Sequence, residues 1–175
     1  MIYLIKTTIV AFAMLFNQDT QAQQNNDCVR GTAEPTLTNK YFSNHKFTLQ
    51  SDGLSAIETA VLPNGSVLKV YNEGCEYVNI TFEFKTRLIP DSIQENYIEA
   101  IRFMESIYPY IDVPLDVESG IHLLKHQTEQ GTSLSYNQEI PYGIDDFPEC
   151  VVLNYVEKIN DTEQLMSLSF ILGPL

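Results

Sequence analysis

The stretch Ser66–Arg87, SVLKVYNEGCEYVNITFEFKTR, decides how the chain is read. Val78, Ile80, Phe82 and Phe84 fall on one parity, and Tyr77, Asn79, Thr81, Glu83 and Lys85 on the other. Period-two alternation of this length marks an antiparallel strand with one face in a core and the other toward water. Hairpin signals extend the pattern backwards. Asp52-Gly53 separates His45–Ser51 from Leu54–Leu62, and Asn64-Gly65 separates the latter from Ser66–Tyr71. Both dipeptides tolerate positive φ, which tight hairpin turns require.

Keeping one apolar face through these turns fixes an expected register. A two-residue loop at Asn64-Gly65 sets Val61 opposite Leu68 and Thr59 opposite Val70. Three-residue loops at Ser51-Asp52-Gly53 and Asn72-Glu73-Gly74 align Phe47 with Ile57 and Leu68 with Val78. A one-residue slip would turn the apolar set outward. The expectation is a four-strand meander with a single inner face.

Beyond the meander, Pro90-Asp91-Ser92 stops the sheet. Ser92 with Glu95 fits a capping box, and Ile93, Tyr97, Ala100, Ile101, Met104 and Ile107 recur at helical spacing until Pro109. That helix should cover the inner face. A second helix is expected over Leu115–Gln127, weakened by Gly120. A strand is expected near Thr132–Ile140 and a loop over Tyr142–Pro148, followed by a hairpin of Glu149–Lys158 with Glu163–Leu172 around Asn160-Asp161. The last strand is apolar on both parities at several positions, which places it centrally. The class is α+β, a mainly antiparallel sheet built from the meander and a C-terminal hairpin, packed against one or two helices.

The N-terminus reads differently. Lys6 precedes an apolar run from Thr7 to Phe16 that ends in Thr20-Gln21-Ala22. This is the pattern of an export signal cleaved before Gln23. The run is too short to cross the roughly 30 Å hydrocarbon layer as an anchor. The organisation is therefore a signal peptide at 1–22, an irregular lead-in at 23–44 broken by Pro35, and one domain at 45–175. The expected location is periplasmic or extracellular, with no membrane insertion after cleavage.

Cleavage deletes Lys6 and Asp19 from 10 basic and 23 acidic residues, leaving 9 and 22, so the net charge stays at −13. A field of that sign repels phosphate backbones and anionic lipid, and it speeds encounter with a basic protein. Nucleic-acid and membrane-surface roles are disfavoured; a basic protein is the partner class that fits, and plain solubility is the other use of such acidity.

Three cysteines in an exported chain suggest one disulfide and one leftover thiol. The candidates are Cys28, Cys75 and Cys150, with Cys75, just after a turn, the member most readily reached by either of the others. Glu118, His122 and His126 stand four apart and share one face if helical, so they are the candidate zinc ligands. The order E-x-x-x-H-x-x-x-H lacks the intervening Glu of the zinc protease motif, and two surface histidines on a helix flank are the expected outcome. The acidic groups Asp112/Asp116/Glu118 and Asp145/Asp146/Glu149 do not match a calcium loop. The sequence has no nucleophile elbow, P-loop or dinucleotide fingerprint, and no cofactor is implied.

What remains is the strand face turned away from the helix, with Tyr71, Tyr77, Asn79, Thr81 and Glu83. Tyrosine gives a large contact area with few rotors to freeze, so this is the candidate binding face. The sequence favours an exported binding module without catalytic activity, of inhibitor or immunity type, that occludes a basic partner. The competing class is an exported hydrolase, metal-dependent through His122 and His126, whose site assembles only in the fold.

Overall fold

A computed structural model describes residues 28–38, 41–89, 92–144 and 147–173. The expected signal peptide lies outside the described residues, as do Pro90, Asp91, Asp145 and Asp146. Seven strands form one antiparallel sheet: β1 (Ser43–Leu49), β2 (Ala56–Val61), β3 (Val67–Glu73), β4 (Val78–Arg87), β5 (Ile140–Ile144), β6 (Phe147–Lys158) and β7 (Glu163–Leu172). Their spatial order is β1-β2-β3-β4-β7-β6-β5. Two helices, α1 (Ile93–Ile107) and α2 (Val117–Glu129), connect the N-terminal meander to the C-terminal one. The α+β reading holds.

The last strand is central, as its composition suggests. β7 pairs with β4 along its whole length, from Val78 opposite Leu172 to Arg87 opposite Glu163, and with β6 on its other side. Its inner positions Met166, Leu168 and Phe170 join Leu68, Val70, Val78, Ile80, Phe82 and Phe84 in one fully covered core. The α1 stripe Tyr97, Ala100, Ile101, Met104 and Ile107 covers that face, and Phe103 stacks on Phe84 with ring centroids 3.6 Å apart. Ser92 Oγ accepts from Glu95 N at 3.2 Å, half of the expected capping box, and Pro109 sits in the 3₁₀ turn Tyr108–Tyr110 that ends the helix.

Glycine in α2 costs helix propensity, yet it stands where nothing larger fits. A Cβ on Gly120 would lie 2.8 Å from Phe170 Cε1 and 3.0 Å from the Tyr142 ring. The absent side chain lets two aromatic rings reach the helix backbone. Asp116 Oδ1 caps α2 by accepting from Ser119 N at 3.0 Å.

Several expected details are corrected. The turn at Asn64-Gly65 is a three-residue loop, Pro63-Asn64-Gly65, closed by Leu62 N to Ser66 O at 2.8 Å with Gly65 at φ +84°. Ala60, not Val61, therefore faces Leu68, and Ala56, Glu58 and Ala60 point inward in place of Thr59 and Val61. The first turn is one residue longer than expected, Gln50 N bonding Ser55 O at 2.8 Å, so Phe47 faces Glu58 instead of Ile57. The β3–β4 link runs from Gly74 to Tyr77, so Leu68 faces Phe84 instead of Val78. That slip is even-numbered and leaves the inner parity intact. Residues 132–139 form no strand; they are irregular around a turn at Tyr136 and Asn137, the latter at φ 57°. The expected loop at Tyr142–Pro148 is largely a hairpin in which Tyr142 pairs with Glu149. Pro141 and Gly143 obscure β5 in the sequence, and both are tolerated because it is an edge strand.

The inward turn of β2 has a cause. Residues 28–38 form a strap across the inner side of β2 and β3. Arg30 Nη2 donates to inward-facing Asn72, and Ala33, Thr36 and Leu37 are buried. The inward β2 side chains on either side of Glu58 are the buried Ala56 and Ala60, and the strap's backbone N–H groups need an acceptor. Glu58 supplies one. Its carboxylate is fully buried and takes Thr36 N on Oε1 at 2.5 Å and Leu37 N on Oε2 at 3.1 Å, with His45 Nε2 2.7 Å from Oε2. The far side of the strap bonds the segment between the helices, through Thr38 N to Tyr110 O at 3.0 Å and Asp112 N to Thr36 O at 2.8 Å. The strap thus shares the inner layer with the helices and stays off the sheet's other face.

Candidate functional site: the outer face of the sheet

The strand parity that sends Ile80, Phe82 and Phe84 inward sends Asn79, Thr81 and Glu83 outward. Across the ladder Thr81 pairs with Tyr71 on one side and Ser169 on the other. Four of the five sequence candidates therefore stand side by side: Tyr71, Asn79, Thr81 and Glu83. The fifth, Tyr77, lies just before β4 at the end of this face, 47% exposed. A Cβ on Gly173 would come within 2.6 Å of Tyr77 Cβ, so glycine there makes room for the tyrosine.

The face is held by its own hydrogen bonds. Thr81 Oγ1 and Ser169 Oγ lie 2.7 Å apart. Asn154 Nδ2 donates to Ser169 Oγ at 2.8 Å and to Ser167 Oγ at 3.0 Å. Tyr155 donates its hydroxyl to Glu83 Oε2 at 2.8 Å, and Lys69 Nζ sits 4.4 Å from the centroid of the Tyr71 ring. Desolvation and then the Glu83 carboxylate push the Tyr155 phenol up to about 12. The result is a floor of small hydroxyls, Ser167 and Ser169, flanked by two tyrosines whose orientations are fixed from the side.

The sequence did not point to Asn154, Tyr155, Ser167, Ser169 or Lys69 as site residues. Alternation of Ser167 and Ser169 with Met166, Leu168 and Phe170 carries a usable signal for the serines. Tyr155 shares sequence parity with buried Val151 and Leu153, and reaches the outer face only because the β6–β7 register shifts between Leu153 and Tyr155.

The other candidates lie elsewhere. Cys28 and Cys75 form a disulfide, which pins the start of the strap to the β3–β4 link. Cys150 is free, on β6 opposite Ile171, and burial followed by the Glu139 charge pushes its thiol up, the opposite of what nucleophile activation requires. Glu118, His122 and His126 are all exposed on α2, and Glu118 Oε1 accepts from the Tyr108 hydroxyl at 3.4 Å. Among the described residues no three His, Cys, Asp or Glu side chains gather closely enough to hold a metal ion. Of the acidic groups, Glu149 Oε2 accepts from Asp116 N at 3.0 Å, joining β6 to the start of α2.

Charge is divided between the layers. The outer sheet positions carry Lys46, Lys69, Lys85 and Arg87 against Glu73, Glu83, Glu157 and Glu163, and balance. The segment 92–139, which contains both helices, holds eight carboxylates against Arg102 and Lys125, a net charge of −6. The tyrosine face and the acidic field expected to attract a basic partner thus belong to opposite layers. No helix among the described residues is long and apolar enough to cross a membrane. Neither a protein-family model, nor a curated protein, nor a solved structure matches this chain.

Proposed function

We propose that the protein is an exported, non-catalytic binding module that holds a basic protein partner on the outer face of its sheet. The observation that carries this reading is the fixed arrangement of Tyr71 and Tyr155 around the Thr81–Ser169–Asn154 hydroxyl and amide groups, on a face that the helices and the strap leave open. Rigid tyrosines above satisfied polar groups make contact area available at low entropic cost. Export is supported by the apolar N-terminal run and by the Cys28–Cys75 disulfide, a bond that persists in oxidising compartments.

The two layers have separate duties in this reading. The net charge of −13 raises the encounter rate with a cationic protein at long range. The charge-balanced tyrosine face then supplies the contact that sets the residence time. The test is capture from the native extracellular or envelope fraction with a chain starting at residue 23, followed by binding kinetics. The association rate should fall as salt rises to physiological strength while the dissociation rate holds. Tyr155→Ala and Tyr71→Ala should each speed dissociation at least about tenfold, as loss of an aromatic anchor does. Full affinity in both variants would remove this face as the contact surface.

A further inference from the structure

Where β4 leaves the sheet for α1, a cleft of about 610 Å³ opens between the start of that helix, the end of β6 and the start of β7. That volume is within the range of small-molecule sites. Leu88, Ile89, Ile93 and Val156 give the cleft aliphatic walls, with Ile93 exposed and Leu88 and Val156 half-buried. Asn96, Gln164 and Tyr136 are its neutral polar members.

These three side chains form a hydrogen-bond chain whose direction is fixed. Gln164 is buried at the start of β7, and its Oε1 accepts from Ile89 N at 3.0 Å. A backbone N–H can only donate, so the Gln164 oxygen faces Ile89 and its amide nitrogen faces Asn96. Gln164 Nε2 donates to Asn96 Oδ1 at 2.7 Å, and Asn96 Nδ2 donates to the Tyr136 hydroxyl at 2.8 Å. The Tyr136 oxygen is therefore an acceptor in the chain, and its own proton is left to donate. Among the described residues that proton has no acceptor. The fold accounts for the earlier links, since Gln164 ties down the exit of β4 and Asn96 holds Gln164. What it leaves over is one donor on a half-buried ring that lines an aliphatic cleft. Lys158 also lines the cleft, but its Nζ is 2.7 Å from Asp161 Oδ1, so the rim carries no unbalanced cation.

We propose that this cleft binds a small neutral ligand with an aliphatic body and a carbonyl oxygen. The oxygen accepts the Tyr136 proton, and the alkyl chain lies on Leu88, Ile89, Ile93 and Val156. A carboxylate of the same shape would leave water against a net charge of −13, with no free cation to receive it. A neutral carbonyl meets no such repulsion and satisfies the one open donor. The site lies on the helix side of the sheet, and the proposal does not rest on binding at the outer sheet face.

The test is methyl NMR of the disulfide-bonded protein titrated with 2-heptanone as the neutral carbonyl and with hexanoate as its anionic counterpart. The ketone should shift the Ile89, Ile93 and Val156 methyls saturably at or below about 10 mM, the weak end of specific small-molecule affinity. It should also give nuclear Overhauser contacts to Ile93 and Val156, while the Val113 methyls, beside the strap, stay in place. Hexanoate should bind at least about tenfold more weakly, because its carboxylate loses water without gaining a counter-charge. Tyr136→Phe should weaken ketone binding about fivefold, the scale of one neutral hydrogen bond, while keeping the wild-type Val113 signals. The contacts and the comparison of ketone with hexanoate on the unmodified protein stand even if that variant does not fold. No saturable shift at the cleft methyls, hexanoate binding as tightly as the ketone, or full ketone affinity in a folded Tyr136→Phe variant would each overturn the proposal.

Discussion

Removing the carboxylate beneath the strap is the sharpest perturbation of this fold. Glu58 is fully buried and accepts from Thr36 N and Leu37 N, with His45 Nε2 2.7 Å from Oε2. Glu58→Ala strands two backbone donors and takes an acceptor from His45. Each stranded donor costs about 1–3 kcal/mol, and the variant gains back the expense of keeping a carboxylate out of water, so the net loss should be about 2–4 kcal/mol. Glu58→Gln keeps one carbonyl oxygen but presents an amide N–H₂ to one of the same donors, so it should lose roughly half as much. Urea unfolding measures both losses. Native-state hydrogen exchange locates them, because Thr36 and Leu37 should exchange through a local opening of the strap while Ile80 and Leu168 follow global unfolding only. A change below about 0.5 kcal/mol, the level of an ordinary surface substitution, would refute the anchoring role, as would unchanged exchange at Thr36 and Leu37.

Gly120→Ala should destabilise by about 1–2 kcal/mol, because the crowding against Phe170 and Tyr142 outweighs the roughly 1 kcal/mol of helix propensity gained; a more stable variant in urea would contradict the packing. Cys28 and Cys75 are 47 residues apart. Loop-closure entropy for a cross-link of that span is about 4 kcal/mol, so reduction should lower stability by about 2–4 kcal/mol. Trypsin should then cut after Arg30 while residues beyond Thr36 stay protected, and a melting curve indifferent to reductant would contradict this. Burial, helped by Tyr136, pushes the Tyr97 phenol up to about 12 from an ordinary value of 10.0. The folded state favours the neutral phenol, so this contribution is complete below pH 10 and is lost as pH rises from there toward 12. Tyrosinate absorbance checks it, and a set of phenols all titrating near the ordinary value in the folded protein would contradict it.

Much of the architecture was legible because it is written in local periodicity. Val78–Phe84, the α1 stripe and the doubly apolar last strand each identify their own environment. The failures share a cause in contacts between distant residues. Register at Asn64-Gly65 differs by one residue from the expected one because the loop takes in Pro63, and the resulting burial of Glu58 makes sense only once the strap, 21 and 22 residues earlier, is in place. Polar residues 28–38 carry no periodicity, so nothing local shows them as part of the inner layer. On the outer face, Tyr71, Asn79, Thr81 and Glu83 could be grouped by parity. Tyr155 could not, because an irregularity in the β6–β7 ladder turns it outward against its parity. Cys75 could be picked as a member of the disulfide from its turn, whereas choosing Cys28 over Cys150 needed the strap's path.

Radical footprinting of the tyrosines, with and without the captured partner, tests the proposed contact face most directly. Tyr71 and Tyr155 report on the outer face of the sheet, and Tyr108 and Tyr110 on the helix side. Tyr155 and Tyr110 are comparably exposed in the free protein, at 39% and 37%, so their starting reactivities are similar. Binding at the sheet face predicts that Tyr71 and Tyr155 become protected in the complex while Tyr108 and Tyr110 keep their free-state modification rates. Protection of Tyr108 and Tyr110 with Tyr71 and Tyr155 unchanged would place the partner on the acidic helix layer and contradict the reading.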